Sequence, residues 1–125
     1  MSAQLILVVE DNETNQMLTV AVLERDGYRV VVAGNAEEAR YHLETETPQL
    51  ILMDVQLPGE DGLAFTRQLK RNPATSPIPI VAMTAHAMQG DAEMAMQAGC
   101  SGYIAKPIDT RALAEQVRRY LAVPR

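Results

Sequence analysis

Glu10-Asp11, Asp54, Thr84 and Lys106-Pro107 each stand directly after a short apolar run, at residues 5–9, 50–53, 80–83 and 103–105. If those runs are strands of one open α/β sheet, their polar followers share one edge, where such sheets bind ligands. Carboxylates gathered there repel one another and resist ionising unless a cation is present. Oxygen-only ligands with room for water favour a hard divalent ion, Mg²⁺ above others. A metal-held carboxylate can neutralise an incoming phosphoryl group, and a carboxylate is itself a competent nucleophile that yields an acyl phosphate. Lys106 would balance negative charge from the other side, and Thr84 would offer a hydroxyl to a phosphoryl oxygen.

Each residue also has a plain structural reading. Glu10 and Asp11 could charge or cap the next helix. Asp54 could form a turn leading into Pro58-Gly59-Glu60-Asp61-Gly62, Thr84 could be an ordinary β-former, and Lys106 a solvated loop lysine. Together these readings require four coincidences at one sheet edge, and the chemical reading requires none.

The elements that must position these groups alternate in period. Apolar runs at 5–9, 28–33, 50–53, 80–83 and 103–105 have no polar alternation, which suits strands covered on both faces. Between them lie helical faces. Met17, Leu18, Val20, Ala21 and Leu23 make the first; Ala36, Ala39 and Leu43, behind an Asn35 N-cap, make the second. Leu63, Phe65, Thr66 and Leu69 follow, then Met88, Ala92, Ala95 and Met96. Ala112, Leu113, Gln116, Val117 and Tyr120, capped by Asp109 or Thr110, form the last. Glycines and prolines fall between these segments. Five βα units predict a doubly wound parallel α/β sheet, a three-layer sandwich with right-handed crossovers.

At 125 residues the chain fits one domain, 1–125, and is too short for two ordinary ones. A net charge of −5 argues against nucleic-acid binding. A lone cysteine, Cys100, suits a reducing compartment, and the sequence has neither a signal-peptide layout nor a membrane-length apolar run. The expectation is a cytoplasmic protein with no membrane contact. The first strand begins soon after Met1 and the chain closes soon after the last helix, which suggests a free-standing domain. A piece of a larger protein is the alternative.

Four motifs, Val9-Glu10-Asp11-Asn12 with Asn15, Met53-Asp54-Val55-Gln56-Leu57-Pro58, Met83-Thr84-Ala85 and Lys106-Pro107, resemble in order and spacing the receiver domains of two-component response regulators. The nearest flavour is that of hybrid sensor kinase receivers and of stand-alone receivers in cell-division and polarity phosphorelays. The resemblance implies a flavodoxin-like fold with strand order 2-1-3-4-5. It implies that Asp54 takes a phosphoryl group from a histidine kinase or histidine phosphotransfer protein. Asp11, Asp54 and the Gln56 backbone carbonyl would hold Mg²⁺, with Glu10 acting through a metal-bound water. Thr84 and Lys106 would contact the phosphoryl oxygens, and the Lys106-Pro107 peptide would be cis. Thr84 would then move, Tyr103 would turn inward, and a downstream protein would read the surface of the fourth helix, fifth strand and fifth helix. A monomer or weak dimer is expected.

Other functions fit parts of the pattern. A phosphatase with an Asp nucleophile and Mg²⁺ needs a second acid two residues on, where this chain has Gln56. A flavin carrier would need stacking aromatics, and the chain has no Trp. A degenerate scaffold would not need the full acid, hydroxyl and amine set. His86 could tune the site mouth or simply be solvated, and His42 reads as surface. Met83, Met88, Met94 and Met96 read mostly as core, with exposed members available to partners. Cys100 reads as a packing residue. Arg111, Arg118, Arg119 and Arg125 give the last helix local positive charge, which reads first as a solvated face and second as a protein-docking surface.

Overall fold

The structure is a computed structural model that describes residues 3–122. Five strands, β1 (Leu5–Val9), β2 (Arg29–Ala33), β3 (Leu50–Asp54), β4 (Ile80–Thr84) and β5 (Gly102–Ala105), form one parallel sheet in the order β2-β1-β3-β4-β5. The helices α1 (Glu13–Arg25), α2 (Ala36–Thr45), α3 (Gly62–Arg71), α4 (Asp91–Ala98) and α5 (Thr110–Ala122) make the crossovers, and a 3₁₀ turn at Ala87–Gln89 precedes α4. Arg125, assigned above to the basic face of the last helix, lies outside the described residues, as do Met1, Ser2, Val123 and Pro124.

Successive strand residues point to opposite faces, so each apolar run feeds two cores. Leu7, Ile51, Met53 and Ala82 pack with Phe65, Leu69 and Ala95 on one side; Ile6, Leu50, Leu52, Val81 and Met83 pack with Leu23, Leu113 and Val117 on the other. Side-chain oxygens start four helices: Asn12, Asn35, Asp61 and Asp109 accept the N–H groups of Asn15, Glu38, Leu63 and Arg111 at 2.8–2.9 Å. From β1 the chain steps one way across the sheet to β2 and then the other way to β3, β4 and β5, which leaves a crevice between the carboxyl ends of β1 and β3.

Three expectations are corrected. Double coverage holds for β1, β3 and β4 but not for the edge strands, since β5 alternates buried and exposed residues. In α1 the buried residues are Thr19, Val22 and Leu23, while Met17 and Leu18 are exposed. Residues 17–23 carry enough apolar side chains for more than one stripe, and the sheet takes the one through Val22 and Leu23. Met88 belongs to the 3₁₀ turn and is 98% exposed; α4 buries Ala95 and Ala98 instead, leaving Met94 and Met96 exposed. Small residues let this short helix approach the sheet closely.

Candidate functional site

Glu10 extends β1 by one residue, its N–H donating to Ala33 O at 2.9 Å, and this carries its side chain into the interior, fully buried. A buried carboxylate must be hydrogen-bonded. Asn15 Nδ2 donates to Glu10 Oε1 at 2.6 Å, and Lys106 Nζ lies 3.0 and 3.2 Å from Oε1 and Oε2. The Gln16 side chain donates to the Glu10 carbonyl, so the first turn of α1 holds this residue from two sides.

Asp54 closes β3, paired in register with Met83, and is only 4% exposed. Its Oδ1 accepts the Gln56 N–H at 3.0 Å and its Oδ2 lies 3.1 Å from Lys106 Nζ. Lys106 is itself placed by the sheet, its N–H donating to Thr84 O at 2.7 Å, and the Lys106–Pro107 peptide is cis. Asp11 is exposed at the rim, and one carboxylate oxygen each from Glu10, Asp11 and Asp54 lie within 4.8 Å of one another.

Gly62 controls how closely α3 approaches this edge. Its N–H donates to Val55 O at 3.0 Å, and a Cβ there would sit 2.0 Å from the Asp54 carbonyl oxygen. Only glycine lets α3 begin directly behind the site.

The charges do not balance within the protein. Burial and the adjoining Glu10 push the Asp54 carboxyl up to about 7, against the lowering pull of the Gln56 N–H and Lys106. Burial works against the charge on Lys106, but Glu10 and Asp54 outweigh it and hold its pKa above the ordinary lysine value. The two results agree: one ammonium shared between two buried acids remains charged and leaves one acid short. Counting Asp11, three carboxylates, when all are ionised, against one ammonium leave two negative charges, which one divalent cation would balance. The donor set fits Mg²⁺ in hardness as well as in charge.

Thr84, at the end of β4, is buried, and its hydroxyl donates to Asp91 Oδ2 at 2.8 Å while accepting the His86 N–H at 2.9 Å. The sequence reading missed Asp91 in this role; the available signal was an acid opening the α4 pattern just after Gly90. Tyr103 on β5 is 43% exposed. The His86 residue is exposed and joins the site through its backbone, and His42 lies on α2 beside Tyr41. Cys100 is buried, with its thiol pushed up to about 11 by burial, which suits packing and not reactivity. Arg118 and Arg119 pair with Asp26 and Glu115 at the surface. No helix among the described residues is long and apolar enough to cross a membrane.

The acids that follow β1 and close β3 meet the Lys106 amine that follows β5 at one end of the sheet, where β4 ends in Thr84. The profile of the response regulator receiver domain matches residues 6–118, and the chain belongs to that family. It is similar to the polar-differentiation response regulator DivK of Brucella anthropi, 41% identical over 116 residues, or 93% of this chain and 94% of that protein. Among solved structures, the receiver domain of the sensor histidine kinase PA1611 from Pseudomonas aeruginosa has a magnesium ion coordinated in its active-site cleft. It superposes with a TM-score of 0.88 at 38% identity, covering 98% of this chain and all of that one. The chemotaxis response regulator CheY4 of Vibrio cholerae, with a TM-score of 0.89 over 95% of this chain and 99% of that one, is 21% identical and shares the fold. The chain is thus a two-component receiver, and its acidic pocket fits the phosphorylation site of such a domain.

Proposed function

We propose that residues 1–125 act as one cytoplasmic receiver domain in which Asp54 accepts a phosphoryl group from a phosphohistidine of a sensor kinase or phosphotransfer protein. An Asp54 carboxylate oxygen forms the new bond to phosphorus, the phosphorus–nitrogen bond breaks, and the electron pair returns to the donor imidazole. Asp11, Asp54 and the Gln56 carbonyl would hold Mg²⁺, with Glu10 acting through water. When bound, the ion would neutralise phosphoryl oxygens and favour the ionised, nucleophilic form of Asp54. The observation that carries this reading is the Lys106 ammonium lying 3.0 Å from Glu10 and 3.1 Å from Asp54, with Asp11 completing the acid cluster.

The product brings roughly −1.5 to −2 charges and three acceptor oxygens to the β3 end. Lys106 and Thr84 contact those oxygens. Thr84 draws the segment after β4 toward the phosphoryl group, Tyr103 turns into the vacated space, and a downstream protein reads the changed α4-β5-α5 face. Moving a population from 1:99 to 99:1 takes ~5.5 kcal/mol. Two or three charge-assisted hydrogen bonds at about 1.5–3 kcal/mol each supply it. The role is that of a switch and not of a turnover enzyme, and Gln56 where a phosphatase would place its second acid supports that.

Acetyl phosphate with Mg²⁺ adds one phosphoryl group to the wild type by intact mass and none to Asp54→Ala. Equal labelling of that variant would overturn the assignment. Catalytic turnover of phosphate esters would favour the phosphatase reading.

A further inference from the structure

We propose that Asp91 is a latch on the switch, a positioning residue that holds the only hydroxyl proton of Thr84 while Asp54 carries no phosphoryl group. The proposal rests on the reading of Asp54 as the phosphoacceptor and deepens it by naming what phosphorylation must break.

A threonine hydroxyl has one proton to donate, and an ionised carboxylate has none to offer in return. In this structure Thr84 Oγ1 donates that proton to Asp91 Oδ2 at 2.8 Å and accepts the His86 N–H at 2.9 Å. A phosphoryl oxygen on Asp54 is an acceptor too, so Thr84 reaches it only by giving up Asp91. The two acceptors compete for one donor.

Asp91 is well placed for this. It is the first residue of α4, and Gly90 before it takes φ +100°, a conformation glycine adopts freely. The Thr84–Asp91 bond therefore ties the end of β4 to the start of α4 across the intervening 3₁₀ turn, whose Met88 lies in solvent. Asp91 is only partly buried, so once released it can be solvated at the helix N-terminus, which favours an anion. Breaking the latch frees the segment from 85 to 90 at the moment Thr84 turns to the phosphoryl group.

Competition for one proton is a coupling free energy, and coupling is reciprocal. Removing Asp91 strengthens the site's hold on a phosphoryl mimic, and a mimic weakens the latch. The expected gain is about tenfold in affinity, equivalent to about 1.4 kcal/mol and within reach of one hydrogen bond to a charged group.

The test titrates wild-type protein, Asp91→Asn, Asp91→Ala, Thr84→Ala and the double variant Thr84→Ala/Asp91→Ala, each spanning residues 1–125, with beryllofluoride in Mg²⁺, followed by NMR. Asp91→Ala binds about tenfold tighter than wild type and Asp91→Asn falls between them. The gain disappears without Thr84. In addition, the ligand-free amide signals of residues 84–90 in Asp91→Ala move toward their positions in the bound wild type. A gain that persists in the Thr84→Ala background reflects lost charge repulsion and overturns the latch, as does unchanged or weaker binding by Asp91→Ala. Should Asp91→Ala unfold, Asp91→Asn decides alone, with unchanged affinity overturning the proposal. Failure of wild type to bind beryllofluoride removes the phosphoacceptor reading and the latch with it. Binding by wild type without the Thr84-dependent gain removes the latch only.

Discussion

Lys106 Nζ lies 3.0 Å from Glu10 Oε1, joining residues 96 positions apart and fastening the end of β5 to the end of β1. The same ammonium touches Asp54 at 3.1 Å, so one cation keeps two buried acids in one crevice. Charge and architecture are inseparable at this point, and the consequences can be measured.

Lys106→Met leaves Glu10 and Asp54 facing each other without a counter-charge. Removing one partner from a buried pair costs about 3 kcal/mol or more. The loss is largest at pH 8 and shrinks toward pH 5, where Asp54, at about 7, takes up a proton. Urea denaturation at the two pH values reads the difference.

Asp54 makes the metal-free protein less stable as pH rises. Its pKa of about 7 in the fold exceeds that of an unfolded aspartate, about 3.9. Between those values the native state holds the extra proton, so the stabilising contribution is complete at low pH and is lost as pH climbs through 7. Asp54→Asn abolishes that slope and is more stable than wild type at pH 8, by about 1–3 kcal/mol. Equilibrium unfolding from pH 5 to 8 in a chelator checks the sign.

Mg²⁺ reverses the trend. At ten times its dissociation constant a native-state ligand contributes about 1.4 kcal/mol. The rise in Tm on adding MgCl₂ is greater at pH 8 than at pH 5.5, because protons compete for Asp54, and it is lost in Asp11→Asn/Asp54→Asn. Thermal scans with and without the ion read both effects.

Gly62→Ala drives a methyl group to 2.0 Å from the Asp54 carbonyl oxygen. Either α3 retreats or the β3 end shifts, at about 1–3 kcal/mol for overpacking. Both stability and the rate of labelling by acetyl phosphate fall, whereas an ordinary surface glycine would affect neither.

The legibility of this molecule followed burial. Glu10, Asp54, Thr84 and Lys106 could be placed at one edge because they follow the apolar runs of β1, β3, β4 and β5, and strand ends in a parallel sheet share a direction. The strand order was accessible through family resemblance and not through periodicity, since any arrangement of five buried strands satisfies the same pattern. The faces of α1 and α4 were misjudged where apolar residues outnumber the positions a helix can bury, as at Met17, Leu18 and Met88. The Thr84–Asp91 bond escaped because a polar residue near a helix start has many acceptable roles, and only coordinates show which hydroxyl it receives. Gly62 escaped likewise: its reason is a neighbouring backbone, which no local spacing encodes.

The most direct test of the central claim is borohydride reduction of protein treated with acetyl phosphate and Mg²⁺, followed by peptide mass spectrometry, because reduction converts an aspartyl phosphate to homoserine. Homoserine is expected at position 54 and nowhere else, with none formed when the ion is chelated. Homoserine at Asp11, or an unmodified Asp54 in protein that carries the phosphoryl mass, would contradict it.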